Sequence, residues 1–122
     1  MANTRFNMSF VSAENTNYSP TRYLEDYSVE DTPDEVLAYE VQADTGGVTV
    51  ELGLFATVDK VFIVNEDTTN YVVATWTNNS TANSQRILAG EFLGFGGLTI
   101  ANDLVLTANT AAVQCRVIVT GT

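Results

Sequence analysis

The chain has no histidine, one cysteine, two prolines and only five basic residues among its 122 positions. In residues 59–122 the basic side chains are Lys60, Arg86 and Arg116, and the cysteine is Cys115. Most acid, base and nucleophile schemes need a histidine, a lysine or an activated thiol. Zinc and redox-metal sites need several nitrogen or sulfur ligands. We therefore expect a non-enzymatic protein with no cofactor and no metal.

The single cysteine cannot form an internal disulfide bond. Cys115 alternates with Val113, Val117 and Val119, the period of two expected of a strand. We expect it to be a small buried core side chain rather than a reactive thiol.

The shortage of basic residues also excludes classes of partner. Five basic against fifteen acidic residues give a net charge of −10, which would repel a phosphate backbone. Anionic membrane surfaces are disfavoured for the same reason, and no apolar stretch approaches the ~20 residues of a spanning helix. Residues 1–10 lack the basic and apolar blocks of a secretory signal. We expect no nucleic acid, no membrane and no export by the general pathway.

The acidic residues are concentrated in one part of the chain. Twelve of the fifteen lie between Glu25 and Asp67, most densely in residues 25–35, and such a block is usually a solvated loop or arm. Before it, residues 5–11 alternate apolar and polar side chains and predict a strand. Residues 12–34 show no sustained period and are interpreted as an extended arm or long loop.

The predicted arm contains aromatic and aliphatic side chains suited to contact with another subunit. These are Tyr18, Tyr23, Leu24 and Tyr27. A segment too polar to fold alone can become ordered on a neighbour, with aromatic anchors supplying the contact area. We predict these four residues as a partner-binding set.

Residues 33–54 admit two interpretations. Thr32-Pro33-Asp34-Glu35 matches a helix-start signature and predicts a helix over residues 33–43. Alternating apolar residues on either side of Asp44-Thr45-Gly46-Gly47 instead predict a β-hairpin. We favour the hairpin.

Further along the chain, turn residues separate short apolar runs. Residues 60–64 and 71–76 predict the clearest hairpin, and apolar side chains on both faces suggest strands covered on both sides. A last hairpin is predicted to turn at residues 108–110. Residues 78–84 have the composition of a loop, and Gly94-Phe95-Gly96-Gly97 is interpreted as a turn or bulge.

This pattern predicts the fold class. About eight or nine strands, with turn signals roughly every 8 to 12 residues, indicate an all-β antiparallel sandwich, jelly-roll-like, with an N-terminal extended arm. We expect an N-terminal strand and acidic arm over residues 1–35 and a sandwich over residues 36–122, in a single structural domain overall.

Carboxylates are the remaining candidates for chemistry. Glu91 and Asp103 lie nearest to apolar sequence, but their spacing does not place them together as a hydrolase pair. Asn65-Glu66-Asp67 and the trio Asp31, Asp34 and Glu35 do not match a calcium loop, so solvated turn acids are the favoured interpretation.

Aromatic residues close to loops suggest a second kind of binding. Tyr71, Trp76, Phe92 and Phe95 would form a sugar-stacking platform if exposed, whereas filling the core or its rim is the favoured interpretation.

Three runs in the last sixty or so residues resemble known proteins in style. They are Val61-Phe62-Ile63-Val64-Asn65, Ile87-Leu88-Ala89-Gly90-Glu91 and residues 111–121. They are similar to small β-sandwich proteins of tailed bacteriophage virions, of the capsid decoration (cement) and head or tail fibre-associated kinds.

The resemblance implies a non-enzymatic virion protein, made in the host cytoplasm and assembled onto a particle. It implies a homo-oligomer, with a trimer as one expected order, whose partners are other capsid or tail subunits. Stabilisation of the assembled shell is the expected function, and a receptor- or glycan-binding module of a tail or fibre is the alternative.

Overall fold

The computed structural model describes residues 4–12, 21–31, 35–78, 80–98 and 103–122. Over these ranges every element of regular secondary structure is a β-strand. The chain divides into two units, residues 1–33 and 34–122. Their strands are β1 (Thr4–Ser12) and β2 (Thr21–Asp31) in the first unit, and β3 (Glu35–Ala43), β4 (Val48–Thr49), β5 (Val58–Asn65), β6 (Val72–Asn78), β7 (Thr81–Ile87), β8 (Phe92–Gly96), β9 (Val105–Ala108) and β10 (Val113–Gly121) in the second.

The first unit contains an antiparallel pair, β1 with β2, running from Thr4 opposite Asp31 to Ser12 opposite Thr21. Strand β1 confirms the strand predicted for residues 5–11. Strand β2 lies where the sequence predicted an arm or long loop. Two register shifts flank Phe10 and add residues on the β2 side, which removes the regular period of two from that segment.

The second unit confirms the predicted antiparallel β-sandwich. Its first sheet has the strand order β3-β10-β5-β8 and its second β4-β9-β6-β7. Inward side chains from both sheets form one core: Ile63 and Val117 come from the first, and Ala74 and Leu106 from the second, all fully buried. Each fully buried Val, Leu or Ile contributes about 1.5–3 kcal/mol of transfer free energy, so the facing sheets hold each other in place.

The strand pairs are nested around one tight hairpin. Strands β6 and β7 are joined at Asn78 opposite Thr81. Around them, β5 pairs with β8, β4 with β9, and β3 with β10. All the other connections between consecutive strands of this unit cross from one sheet to the other.

The three hairpins predicted in this unit are therefore wrong as pairings, although their strands exist. Strands β3 and β4, β5 and β6, and β9 and β10 each lie in opposite sheets. At the first crossing, Gly46 N donates to Asp44 Oδ1 (2.9 Å), and Ala108 N donates to the Asp44 carbonyl (2.8 Å). The turn residues were predicted correctly. The bond from Ala108 N, however, ties the turn to β9, and the chain does not fold back on β3.

One alternative is excluded and two local predictions are corrected. The helix considered for residues 33–43 is strand β3 where described, paired along its length with the central strand β10. The loop predicted for residues 78–84 contains most of β7, held by full pairing with β6. The turn or bulge predicted for residues 94–97 lies mostly within β8. A Cβ at Gly94 would come within 2.8 Å of the Phe62 ring, so glycine lets that ring lie over the strand.

Asn65 holds the end of β5 to two neighbouring segments. Its fully buried side chain donates from Nδ2 to the carbonyls of Asn70 and Ile87, both at 3.0 Å, and accepts from the Asp67 N–H at 2.9 Å. The side chain thus satisfies backbone groups that water cannot reach at the Ile87 end.

Asn65→Ala is expected to lower the free energy of unfolding by about 3 kcal/mol, because it leaves buried backbone groups without partners. Urea unfolding followed by circular dichroism and by the fluorescence of the single tryptophan measures this loss. Gln85→Ala is the matched control, since this amide is exposed and donates to the carbonyl of the next residue. Equal losses in both variants would contradict the assigned role of Asn65.

Candidate functional site

The outer surface of the first sheet carries both apolar and polar side chains, and we call its apolar set the apolar face. It consists of Val36, Ala38, Phe62, Val64, Phe92 and Ile118. The register aligns these residues across all four strands: Ala38 lies opposite Ile118, Ile118 opposite Phe62, and Phe62 opposite Gly94. Side chains alternate along a strand, so these residues point away from the core that Val117 and Ile63 fill.

Several side chains of the apolar face are well exposed. Phe92 is 70% exposed on the edge strand β8, and Val36 is 43% exposed on the opposite edge strand β3. Between them, Val64 and Ile118 are half-buried. Grouped apolar side chains on a surface are typical of an interaction site. The expectation that both faces of residues 60–64 would be covered is thus met on the inner side, while the outer side is only half-buried.

Charged side chains border the apolar face at the β3–β10 pair. Arg116 lies 3.3 Å from Glu40 Oε1 and 3.4 Å from Glu66 Oε2, and Gln114 Nε2 donates to Glu40 Oε2 at 3.0 Å. Because the Arg116 and Glu40 side chains are each 54% exposed, solvent screening leaves such a pair worth only about 0–1 kcal/mol. The ion pair positions the polar side chains at the edge of a surface cavity of about 270 Å³, which Ala38 and Ile118 also line.

The residues predicted to bind a partner fall outside the apolar face. Tyr18 lies outside the described residues. Tyr23, Leu24 and Tyr27 lie on β2, with Leu24 opposite Phe10 and Tyr27 opposite Met8 in the backbone register. A partner-binding role for these four residues stays a prediction.

The aromatic residues do not form one platform. Trp76 stacks on Phe95 with ring centroids 4.2 Å apart and 16° between the ring planes, and both pack against the core. Tyr71 lies under the Arg86 guanidinium at 4.3 Å. Phe92 is the one of the four that belongs to the apolar face. The expectation that these aromatics fill the core or its rim is confirmed for Trp76 and Phe95.

The candidate carboxylates accept hydrogen bonds from the backbone. Glu91 accepts from Leu88 N at 3.3 Å, closing its own turn, and Asp103 Oδ2 accepts from Thr77 N at 2.6 Å. Asp67 accepts from Asn70 N at 2.6 Å, and this bond lowers the pKa of the Asp67 carboxyl. Within the described ranges no cluster of three or more His, Cys, Asp or Glu side chains is placed to hold a metal ion.

Comparisons with known proteins return no match: no family model, no curated protein and no solved structure is similar to this chain. Among the described residues, no helix has the length and apolarity needed to cross a membrane.

Cys115 is the chain's nucleophile of highest intrinsic reactivity, and the fold withdraws it from solvent. Its side chain is fully buried in the central strand β10, as the alternation predicted. Burial raises the pKa of the thiol from 9.0 to about 11, with a further contribution from the negative charges of Glu66 and Asp67. Since the thiolate is the reactive form, both effects suppress reaction.

Cys115 is therefore expected to resist an aromatic disulfide reagent at pH 8 in the folded protein and to react fully in urea. A raised folded-state pKa means that the unfolded chain releases this proton first, so the thiol's contribution to stability is lost as pH rises from about 9 to about 11. Fast labelling without denaturant would contradict the assigned burial. Cys115→Ser, which has no thiol, is the labelling control.

Proposed function

We propose that this chain is a non-enzymatic virion structural protein, a capsid decoration or cement protein that binds an assembled shell through the apolar face. The observation that carries the proposal is the 70% exposure of Phe92 on an edge strand, directly opposite the apolar side chain of Val64. A large exposed aromatic next to an aliphatic side chain is the kind of residue that dominates binding energy at protein interfaces.

The strand order supports this proposal by analogy. We infer that the nested pairs, β3 with β10 out to β6 with β7, follow the connectivity of a double-sheet jelly roll. Such sandwiches form viral capsid domains and also lectin domains. One fold hosts many functions, so the architecture supports a virion function by analogy alone.

Charge selects the partner. The chain has a net charge of −10, so a contact surface on the shell must be basic to bring the two together. Copies of the chain repel one another in free solution. A basic lattice offsets that repulsion, so the proposed homo-oligomer, with a trimer as its expected order, would form on the particle. Tyr18, Tyr23, Leu24 and Tyr27 remain the proposed contacts to a neighbouring subunit.

The proposed mechanism is mass action. A protein that binds the assembled lattice and not its separated subunits stabilises the lattice by about 2.7 kcal/mol per site when free protein is one hundred times its dissociation constant. Repetition over many sites multiplies the effect. Synthesis in the host cytoplasm and residence in the virion, on its capsid or tail, are parts of the same proposal.

Phe92→Ser is expected to weaken binding to stripped particles by about thirtyfold, because it removes an aromatic anchor worth about 2 kcal/mol or more. Co-sedimentation over a range of protein concentrations measures the affinity, and a particle melting curve measures the stabilisation. Leu54→Ser is the matched control, since Leu54 is 63% exposed but lies on the β4–β5 connection, outside the apolar face.

Three outcomes would contradict the proposal: no retention of the wild-type chain on particles, no gain in particle melting temperature, or equal weakening by both variants. Because the partner surface is expected to be basic, retention should also fall as salt rises from about 0.05 to about 0.5 M. Circular dichroism of each variant verifies that the fold is retained.

A further inference from the structure

A groove of about 300 Å³ lies on the second sheet, in the part formed by β6, β7 and β9. Its lining includes Thr75 and Thr77 from β6, Ser84 from β7, and Asp103 and Val105 at the start of β9. Thr75 lies opposite Ser84 on one side and Val105 on the other. Since Val72 and Ala74 fill the core, Thr75 and its two partners point outward.

The floor of this groove is lined by small hydroxyl side chains. Thr75 and Ser84 are neighbours across the β6–β7 pair, and each hydroxyl can donate one hydrogen bond and accept two. A row of such groups matches a ligand that itself carries several hydroxyls, each both a donor and an acceptor.

Asp103 supplies the one charged side chain among the described residues that line the groove. Its Oδ2 accepts from the backbone N–H of Thr77 at 2.6 Å, which fixes the orientation of the carboxylate. A carboxylate has about four acceptor positions, so capacity remains for two hydroxyls of a ligand. The nearest cation along β7, Arg86, lies over the Tyr71 ring at 4.3 Å and is not part of the lining. Anionic ligands are therefore repelled, and hydroxyl donors are favoured.

Val105 supplies the apolar part of this outward surface, on the other side of Thr75 from Ser84. An aliphatic side chain beside hydroxyl and carboxylate groups suits a sugar, which presents C–H groups as well as hydroxyls. Trp76 is the next residue after Thr75, so its ring points to the core side of the sheet, where it stacks on Phe95 with 4.2 Å between ring centroids.

We propose that this groove binds a neutral saccharide, with Asp103, Thr75 and Ser84 contacting its hydroxyls and Val105 contacting its C–H surface. The site is separate from the apolar face: the groove belongs to the second sheet and the apolar face to the first. It gives the proposed virion protein a second activity, adhesion to glycans on a surface, and it does not depend on shell attachment. A shallow site of this kind binds weakly alone, and many copies on one particle would raise the overall avidity by about 10²–10⁴.

The test is an NMR titration of the full chain, labelled with ¹⁵N, against glucose, galactose, mannose, N-acetylglucosamine, maltose and lactose, each raised to about 100 mM. At least one sugar should shift the amide signals of Thr75, Ser84 and Asp103 in a saturable way.

Thr75→Val preserves the shape and strand preference of the side chain and removes its hydroxyl, and Ser84→Ala does the same on β7. Each is expected to weaken binding of that sugar by about three- to tenfold, the loss of one hydrogen bond. Asp103→Asn keeps an oxygen to accept from Thr77 N but loses the charge, and a similar weakening is expected. Thr49→Val is the matched control, an exposed threonine on β4 of the same sheet, outside the groove.

Absence of saturable shifts with every sugar would overturn the proposal, as would shifts confined to residues outside the groove or equal effects of Thr75→Val and Thr49→Val. Failure of this proposal and failure of shell attachment can be told apart. The groove variants should keep wild-type retention on particles, and Phe92→Ser should keep wild-type sugar binding.

Discussion

Strand β10 lies between β3 and β5 and pairs with both over most of its length, which makes it the constraint on which the sandwich depends. Its inward side chains Val113, Cys115, Val117 and Val119 are fully buried against the second sheet. Because β10 is also the last strand, the first sheet cannot be completed until residues far apart in sequence have met, a topology that folds slowly. The same pairing aligns Ile118 with Ala38 and Phe62 and so creates the apolar face.

The positions of the strands could be predicted from the sequence where one face of the strand is buried. Which strands pair with each other could not be predicted. The alternation over residues 60–64 predicted β5 correctly, yet its assumed partner, residues 71–76, lies in the other sheet. A hairpin and a crossing between sheets both need Gly, Asn or Asp in the turn, and both place alternate apolar residues in the core, so the local pattern is the same. Strand β7 carries almost no buried side chain and leaves no alternation to detect. Its form comes from backbone pairing with β6.

Some residues of the candidate sites could be predicted from the sequence, but their arrangement in space could not. Apolar residues on both sides of β5 indicated a second apolar surface, but its alignment with Phe92 on β8 depends on a long-range register. Phe92, Trp76 and Phe95 were noted as aromatics near loops. The stack of Trp76 on Phe95 joins residues nineteen positions apart and on different sheets, which no local pattern shows. The groove around Thr75 was missed because residues 78–84, which supply part of its lining, have the composition of a loop.

Both proposed surfaces depend on the nested strand order, in which consecutive strands other than β6 and β7 lie in opposite sheets. Cross-strand NOEs in an isotope-labelled sample test this order most directly. The account predicts backbone NOEs from Val117 to both Tyr39 and Ile63, the two residues opposite it in the first sheet. A ladder of NOEs between β9 and β10 around residues 109–112, the signature of a simple hairpin, would contradict the account, because the apolar face and the groove would then lose the registers that assemble them.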